Sequence, residues 1–553
     1  MPLISRVLLV SASLVMVSSP VVSAASVRES ATPEQTILPP AERVVSLSAT
    51  AMPFQDAVQH LCTSADVGLE LDIVAIENAG LKVDAPVTID LKEIPLEKAV
   101  RRMLVSLHAV FTIGIELDDS RLLVSSREKM NARFVQNLPD WLRRLQNKGL
   151  VARLDSHDQI TEVSVGDIAD DELLVKLATL PKLKRLSISS SQSITGRGMM
   201  VISRMPELET LEFYSVSLST ESLALLRPLH GLRELGLRGA QLTDAGAAHL
   251  EGLKGLVVLR VGDNLLSDAG IEHLSGLANL EILEIPGSNR KDSGTMITDA
   301  GMPHLARLTK LRELNLSGLL ITNAGFAHLS GLHKLRRLQL NNTRITCRGL
   351  EPLAGFPELE SLSIGGPSFG DDGMENLGAC KGLRHLELAR TEIGDEGLRY
   401  VGTLDNLERL SFVSRFVTDA GLTHLASLNN LKHLELHASR ITDESLLHLS
   451  GIASLTRLDL GGLDFPGVGR NFSETGYAYL AASPNLETFH LSNEKVAWTE
   501  LRDFKKLKRL TLFSPDMSRE DVHELQRALP DTLVSATSGG WSVMPIQYSL
   551  SIP

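Results

Sequence analysis

Apolar residues along this chain fall into a phrase that returns at a fixed interval. "LSDAGIEHLSGLANL" (266–280) comes back as "LTDAGAAHLEGLKGL" (242–256) and as "VTDAGLTHLASLNNL" (417–431). Between these phrases lie LxxLxL runs, the first at Leu183 and the last at Leu507, mostly 24 residues apart. In such a run the last two leucines share one face of an extended segment and the residues beside them take the other, which predicts a strand buried on one side. The phrase itself predicts a helix. Thr298-Asp299, Thr418-Asp419 and Thr442-Asp443 supply an N-cap hydroxyl and a carboxylate at the helix's positive end. Ile271, Leu274 and Leu277 follow at inward spacing. Gly270, with Gly246, Gly301, Gly325 and Gly421 in the same place, would weaken an isolated helix, which predicts close approach to the sheet or to a neighbouring coil.

One strand and one helix cannot bury their own apolar face, so the units must stack. Strands stack ~4.8 Å apart while helices are ~10 Å wide, so the stack must curve with its sheet inside. With a degenerate unit at Ile160, about 15 units fill residues 160–535. The array resembles the bacterial 24-residue leucine-rich repeats, whose consensus is close to LxxLxLxxTxITDxGLxxLxxLxx. The resemblance implies an α/β solenoid that binds a protein partner. The asparagine usual in such repeats stands once, as Asn264. Elsewhere Ala240, Thr343, Thr391, Ser439, Arg415 or Leu319 takes its place, so no stacked asparagine ladder is expected.

Ahead of the array the pattern changes. Arg6, the apolar run Val7–Val17 and the small residues Val22-Ser23-Ala24 predict a signal peptide over 1–24. A Ser/Pro/Glu-rich linker (25–42) follows, and then an α+β domain over 43–130. There Phe54, Val58 and Leu61 mark a helix after Pro53; Val67, Leu69 and Leu71 alternate as a strand; Val87, Ile89 and Leu91 precede a second helix after Pro95; and 111–117 with 121–125 reads as a closing hairpin. "VTIDLKEIPLEKAVRRML" (87–104) and the strand pair after it resemble the short N-terminal domain of secretins and TonB-dependent receptors. That implies a periplasmic interaction module without catalytic residues. Trp141–Leu145 predicts an N-terminal cap within 131–159, "SREDVHELQRALPDTLVS" (518–535) a closing helix and strand, and 536–553 a tail.

Composition narrows the function. A net charge of −12 without a basic patch argues against nucleic acid. Cys62, Cys347 and Cys380 are too few and too scattered for a disulfide framework or a zinc site. No stretch after the signal reaches the ~20 apolar residues needed to span a bilayer. Phosphate-loop, serine-elbow and HExxH motifs are missing, so no cofactor, metal or catalytic residue is assigned.

Three features remain as candidate chemistry. His249, His273, His304, His328, His424 and His448 hold one place in six units, about 130° from the inward direction, which predicts packing between repeats. "HLELH" sets His433, Glu435 and His437 on one strand face, with His385, Glu387, Arg409, Arg457 and Asp459 on nearby strands. Same-face neighbours on a strand are ~6.6 Å apart, wide for one metal ion, so a polar binding surface is expected. Two units carry seven extra residues, within "PGSNRKDSGT" (286–295) and "GGLDFPGVGRNFS" (461–473). Asn289, Arg290, Lys291, Phe465 and Arg470 there are candidate contacts. The expectation is an exported, non-enzymatic binding scaffold, periplasmic or extracellular, that meets a protein partner through its concave face and long loops. An F-box-like adaptor of a ubiquitin ligase is disfavoured by the signal peptide and by the lack of an F-box before the repeats. A hydrolase using His433, Glu435 and His437 as metal ligands is the third reading.

Overall fold

The structure is a computed structural model. It describes residues 10–11, 44–71, 86–96, 99–100, 110–111, 113–117, 121–126, 138–146, 148–155, 159–287, 296–461, 472–492, 498–513, 518–538 and 541–543. The chain divides into two compact units: residues 1–168 with 180–185, and residues 169–179 with 186–553.

In the first unit the strand Val44–Pro53 pairs antiparallel with Pro86–Pro95. A three-stranded sheet places Arg121–Ser126 between Gly68–Leu71, parallel to it, and Ile113–Leu117, antiparallel. The helix Phe54–Ser64 begins after Pro53, whose missing N–H costs nothing at a helix start. It buries Phe54, Ala57, Val58, Leu61 and Cys62, the face its spacing predicts. The cap helix Asp140–Gln146 buries Leu142. Val151–Leu154 pairs antiparallel with Ile160–Val165.

The second unit is the solenoid. Among the described residues, fourteen strands from Thr210–Tyr214 to Leu533–Ser538 pair in parallel, each with the next. Register is kept by one apolar column. Leu235, Leu259, Leu283, Leu314, Leu338, Leu362, Leu386, Leu410, Leu434, Leu458, Phe489 and Leu510 lie side by side, each at most 1% exposed. Burying each such side chain contributes roughly 1.5–3 kcal/mol. A one-residue slip would turn the whole column to solvent. Opposite the strands run short helices, such as Asp268–Leu274 and Asp443–Ser450. Several units keep only 3-10 turns, such as Glu351–Gly355 with Pro352 in its first turn. The last helix, Arg519–Ala528, opens on a capping box made by Ser518 and Asp521.

The helix starts hold the coils together. Most caps of the array are Thr or Ser as expected, with Asp170 and Gly394 as exceptions, but the aspartate after the cap turns to the next coil rather than to its own helix. Asp299 Oδ1 accepts the Thr322 amide (2.7 Å) and Oδ2 accepts the Thr322 hydroxyl (2.5 Å). That hydroxyl accepts the Ala324 amide of its own helix (3.2 Å). The same clasp joins Asp171 to Thr195, Asp244 to Ser267, Asp268 to Thr298, Asp395 to Thr418, Asp419 to Thr442 and Asp443 to Ser473. Asn323 does this for Thr346 through its amide.

The recurring glycine now has a cause, and it is the neighbouring coil. A Cβ at Gly198, Gly270, Gly301, Gly325, Gly397, Gly421 or Gly476 would lie under 3.0 Å from the preceding unit's aspartate. Where serine replaces glycine, at 445, its hydroxyl donates to Asp419. Burial works against the charge on Asp419, but the Ser445 hydroxyl and the Thr442 amide and hydroxyl outweigh it and hold the carboxyl below its usual range. A depressed carboxyl stabilises the fold fully above the unfolded value of about 3.9 and loses that contribution as pH falls through the folded value. Melting temperature measured from about pH 5 down to 2 should therefore fall. Asp419→Asn, which copies Asn323, should keep neutral-pH stability and shallow that fall. An unchanged slope would show that the carboxylate clasp does not couple to folding.

Candidate functional site

The sheet face opposite the leucine column carries two rows of mostly polar side chains that cross the strands. The first row reads Glu234, Val258, Ile282, Glu313 and then Arg337, Ser361, His385, Arg409, His433, Arg457, Thr488, Arg509. The second row, two residues further along each strand, includes Glu212, Arg260, Glu284, Glu387, Ser411, Glu435, Asp459 and His490.

At the N-terminal end Arg260 lies 3.6 Å from Glu212, 3.8 Å from Glu234 and 3.6 Å from Glu284. Burial first, and the charge of Glu212 second, push the neighbouring Tyr214 hydroxyl up to about 12. At mid-sheet Arg337 pairs with Glu313 (2.7 Å), and the Ser363 hydroxyl donates to Glu387 (2.6 Å).

The densest cluster lies on the strands Arg409–Thr418, His433–Arg440, Arg457–Gly461 and Thr488–Ser492. Arg409 Nε donates to His433 Nδ1 at 2.9 Å. His433 therefore carries its proton on Nε2, which meets Asp459 Oδ2 at 3.1 Å. The Arg457 guanidinium closes on the same oxygen at 2.8 Å, and His490 Nδ1 reaches Asp459 Oδ1 at 3.1 Å. Burial opposes the charge on Asp459, while His433, Arg457 and His490 hold its carboxyl below the usual range. His490 is pushed down, first by burial and then by Arg457 and Arg509 against the pull of Asp459. Glu435 is held low chiefly by His437, 3.4 Å away, against burial. The His437 ring lies over Gly461, where a Cβ would collide with it.

The structure thus brings together Arg409, His433, Glu435, His437, Arg457 and Asp459 of the predicted residues. His385 lies next in register to Arg409 and is exposed, and Glu387 turns to Ser363. Asn289, Arg290, Lys291, Phe465 and Arg470 lie outside the described residues. His490, Arg260 and the three glutamates around it were not singled out from sequence. Their signal was the phase within LxxLxL, which puts His490 level with Glu435 and Asp459.

The approach runs across neighbouring strands as well as along one, because Asp459 stands beside Glu435 in register. Ligand atoms of His433, Glu435 and Asp459 lie within 4.8 Å of one another. Even so, His433 turns a protonated Nε2 toward that group, and Arg457 already occupies Asp459. The donor set is that of a charge network. Two members of the histidine column pack between repeats, and a third pairs within its own helix. His249 meets Arg227 (2.8 Å) and His273 meets Glu251 (2.5 Å), each in the preceding unit. His448 lies 3.7 Å from Glu444 of its own helix.

A leucine-rich repeat family model matches residues 379–402, one unit of the array. The solved structures it is similar to include an internalin of Listeria monocytogenes, 22% identical, covering 60% of this chain and 87% of that one with a TM-score of 0.45. A leucine-rich repeat protein of Leptospira interrogans is 16% identical, with 65% and 91% covered and a TM-score of 0.41. Among curated proteins none matches the chain significantly. The parallel sheet, its leucine column and the 24-residue period make the fold an α/β leucine-rich-repeat solenoid. Among the described residues no helix is long and apolar enough to cross a membrane.

Proposed function

We propose that this chain is an exported, non-enzymatic scaffold that binds a protein partner through the polar face of its sheet. The observation carrying this reading is the pair of rows crossing the strands. From Arg337 onward charged and hydrogen-bonding side chains occupy one continuous face, while the other face of the strands is spent on the core. Such a surface can be varied position by position without disturbing the fold. Export rests on the signal-like pattern of residues 1–24. The long loops at 286–295 and 461–473 are proposed as a rim beside the face, and the unit at 43–130 as a second docking module.

Cross-linked capture from the secreted and envelope fractions tests the reading with three baits: the natural chain, Ser411→Trp, and a chain shortened in both loops. Ser411 lies in the second row between Glu387 and Glu435. An indole there should remove the captured protein, because it fills the space a partner's side chains would take on that face. Identical captures from the natural and Ser411→Trp baits would overturn the role of the face. Identical captures from the shortened bait would remove the loops as contacts.

A further inference from the structure

Charge is sorted along the sheet. Over the strands from Glu234–Arg238 to Glu313–Asn315 the charged members of the first row are Glu234 and Glu313, and from Arg337 onward every charged or titratable member is basic: Arg337, His385, Arg409, His433, Arg457 and Arg509. Arg337 is engaged by Glu313, and Arg457 by Asp459. Among the described residues Arg409 has no carboxylate within salt-bridge distance; the Arg409 Nε–H is spent on a neutral imidazole. The second row beside it holds Glu387, Glu435 and Asp459.

We propose that this basic row is the docking surface for an acidic polypeptide segment of the partner, and that protonation of His433 opens it by releasing Arg409. The inference rests on the reading of the sheet face as the binding surface.

The switch follows from hydrogen-bond polarity. Neutral His433 accepts from Arg409 through Nδ1 and donates to Asp459 through Nε2, so both nitrogens are satisfied. A proton added at Nδ1 would set an N–H against the Arg409 N–H, 2.9 Å apart, two donors with nothing between them. Arg409 must then leave, and its guanidinium becomes free for a carboxylate, which it can grip bidentately. The groups facing His433 allow the change. Asp459 and Glu435 favour the imidazolium, while Arg409, Arg457 and His490 oppose it.

A polypeptide fits this stripe better than a continuous polyanion. The acidic row runs one side chain away and would repel unbroken phosphate or sulfate. A peptide can set carboxylates over the basic row and amide, hydroxyl or lysine groups over the acidic one.

The test is fluorescence anisotropy of a labelled deca-glutamate peptide with the full chain, beside deca-glutamine and heparin. Affinity for deca-glutamate should rise about tenfold between about pH 7.5 and 5.5 at low salt, as charge pairing predicts. Arg409→Gln and His433→Gln should each abolish the rise, whereas Arg307→Gln, an exposed cation elsewhere, should keep it. Melting curves check that each variant is folded, and Arg409→Lys gives a second variant that retains charge but not the fork. A rise that survives Arg409→Gln and His433→Gln while Ser411→Trp abolishes binding overturns the switch and leaves the face as the binding surface. Binding indifferent to Ser411→Trp, equal for deca-glutamine, or tighter for heparin overturns the acidic-peptide assignment. The capture experiment stands independently of all three.

Discussion

Replacing Asn264 with alanine should cost about 3–5 kcal/mol, the largest loss expected from any single polar side chain of the solenoid. Asn264 is 2% exposed and serves five backbone groups. Its Oδ1 accepts the amides of Ala240 (3.0 Å) and Leu242 (2.9 Å), in the preceding unit. Its Nδ2 donates to the carbonyls of Leu237 (2.6 Å), Val261 (2.9 Å) and Gly262 (3.2 Å). Alanine would leave two buried N–H groups without an acceptor, and each such orphan costs about 1–3 kcal/mol.

The unit order localises the damage, since a solenoid's repeats contact mainly their neighbours. Hydrogen exchange should quicken at Ala240 and Leu242 while amides near Leu434 stay protected. Uniform loss of protection would contradict this picture. Asn264→Thr should recover about 1 kcal/mol, because a threonine hydroxyl in this place bonds backbone at both ends. Thr343 shows how: it donates to Leu340 O (2.9 Å) and accepts from the Ile345 amide (3.4 Å).

The strand phase, most of the caps and the closing helix were legible because each rests on local rules: period two in a strand, hydroxyls at helix starts, inward apolar spacing along a helix. Contacts 24 residues away were not, because those rules describe one element at a time. The aspartate after each cap was therefore assigned to its own helix, although its carboxylate reaches the next one. A clue lay in the repeats. Where Gly196 stands in place of the aspartate, the next unit carries Ser222 in place of the glycine.

Arg415 is a similar case. Counting from the strand puts it where Asn264 sits, yet it is exposed, and Ser414, 1% exposed, takes the interior place and donates to the Ile393 carbonyl. The strand Arg409–Thr418 runs on without the left-handed turn that Asp263 and Arg390 make before the equivalent residue. At the candidate site "HLELH" displays contacts along one strand. The network runs across the strands, which is why His490 was passed over.

The cap clasp and the glycine column should prove to be one device rather than two. Gly325→Ala sets a Cβ against Asp299 Oδ1 and Ile321 Cγ2, both under 3.0 Å, and should cost about 1–3 kcal/mol as overpacking. Asp299→Ala removes the acceptor of the Thr322 amide and hydroxyl and should cost about 2 kcal/mol. The two are not independent. Once Asp299 is shortened the added methyl has room on that side, so the double variant should be about 1–2 kcal/mol more stable than the sum of the singles requires. Gly331→Ala is the control, since nothing lies within 4 Å of its Cβ, and its effect should stay within about 0.5 kcal/mol. Denaturant melts of the four proteins measure the coupling. Strict additivity would mean that helix geometry, rather than the neighbouring carboxylate, demands the glycine, and the solenoid would then owe its coil spacing to the leucine column alone.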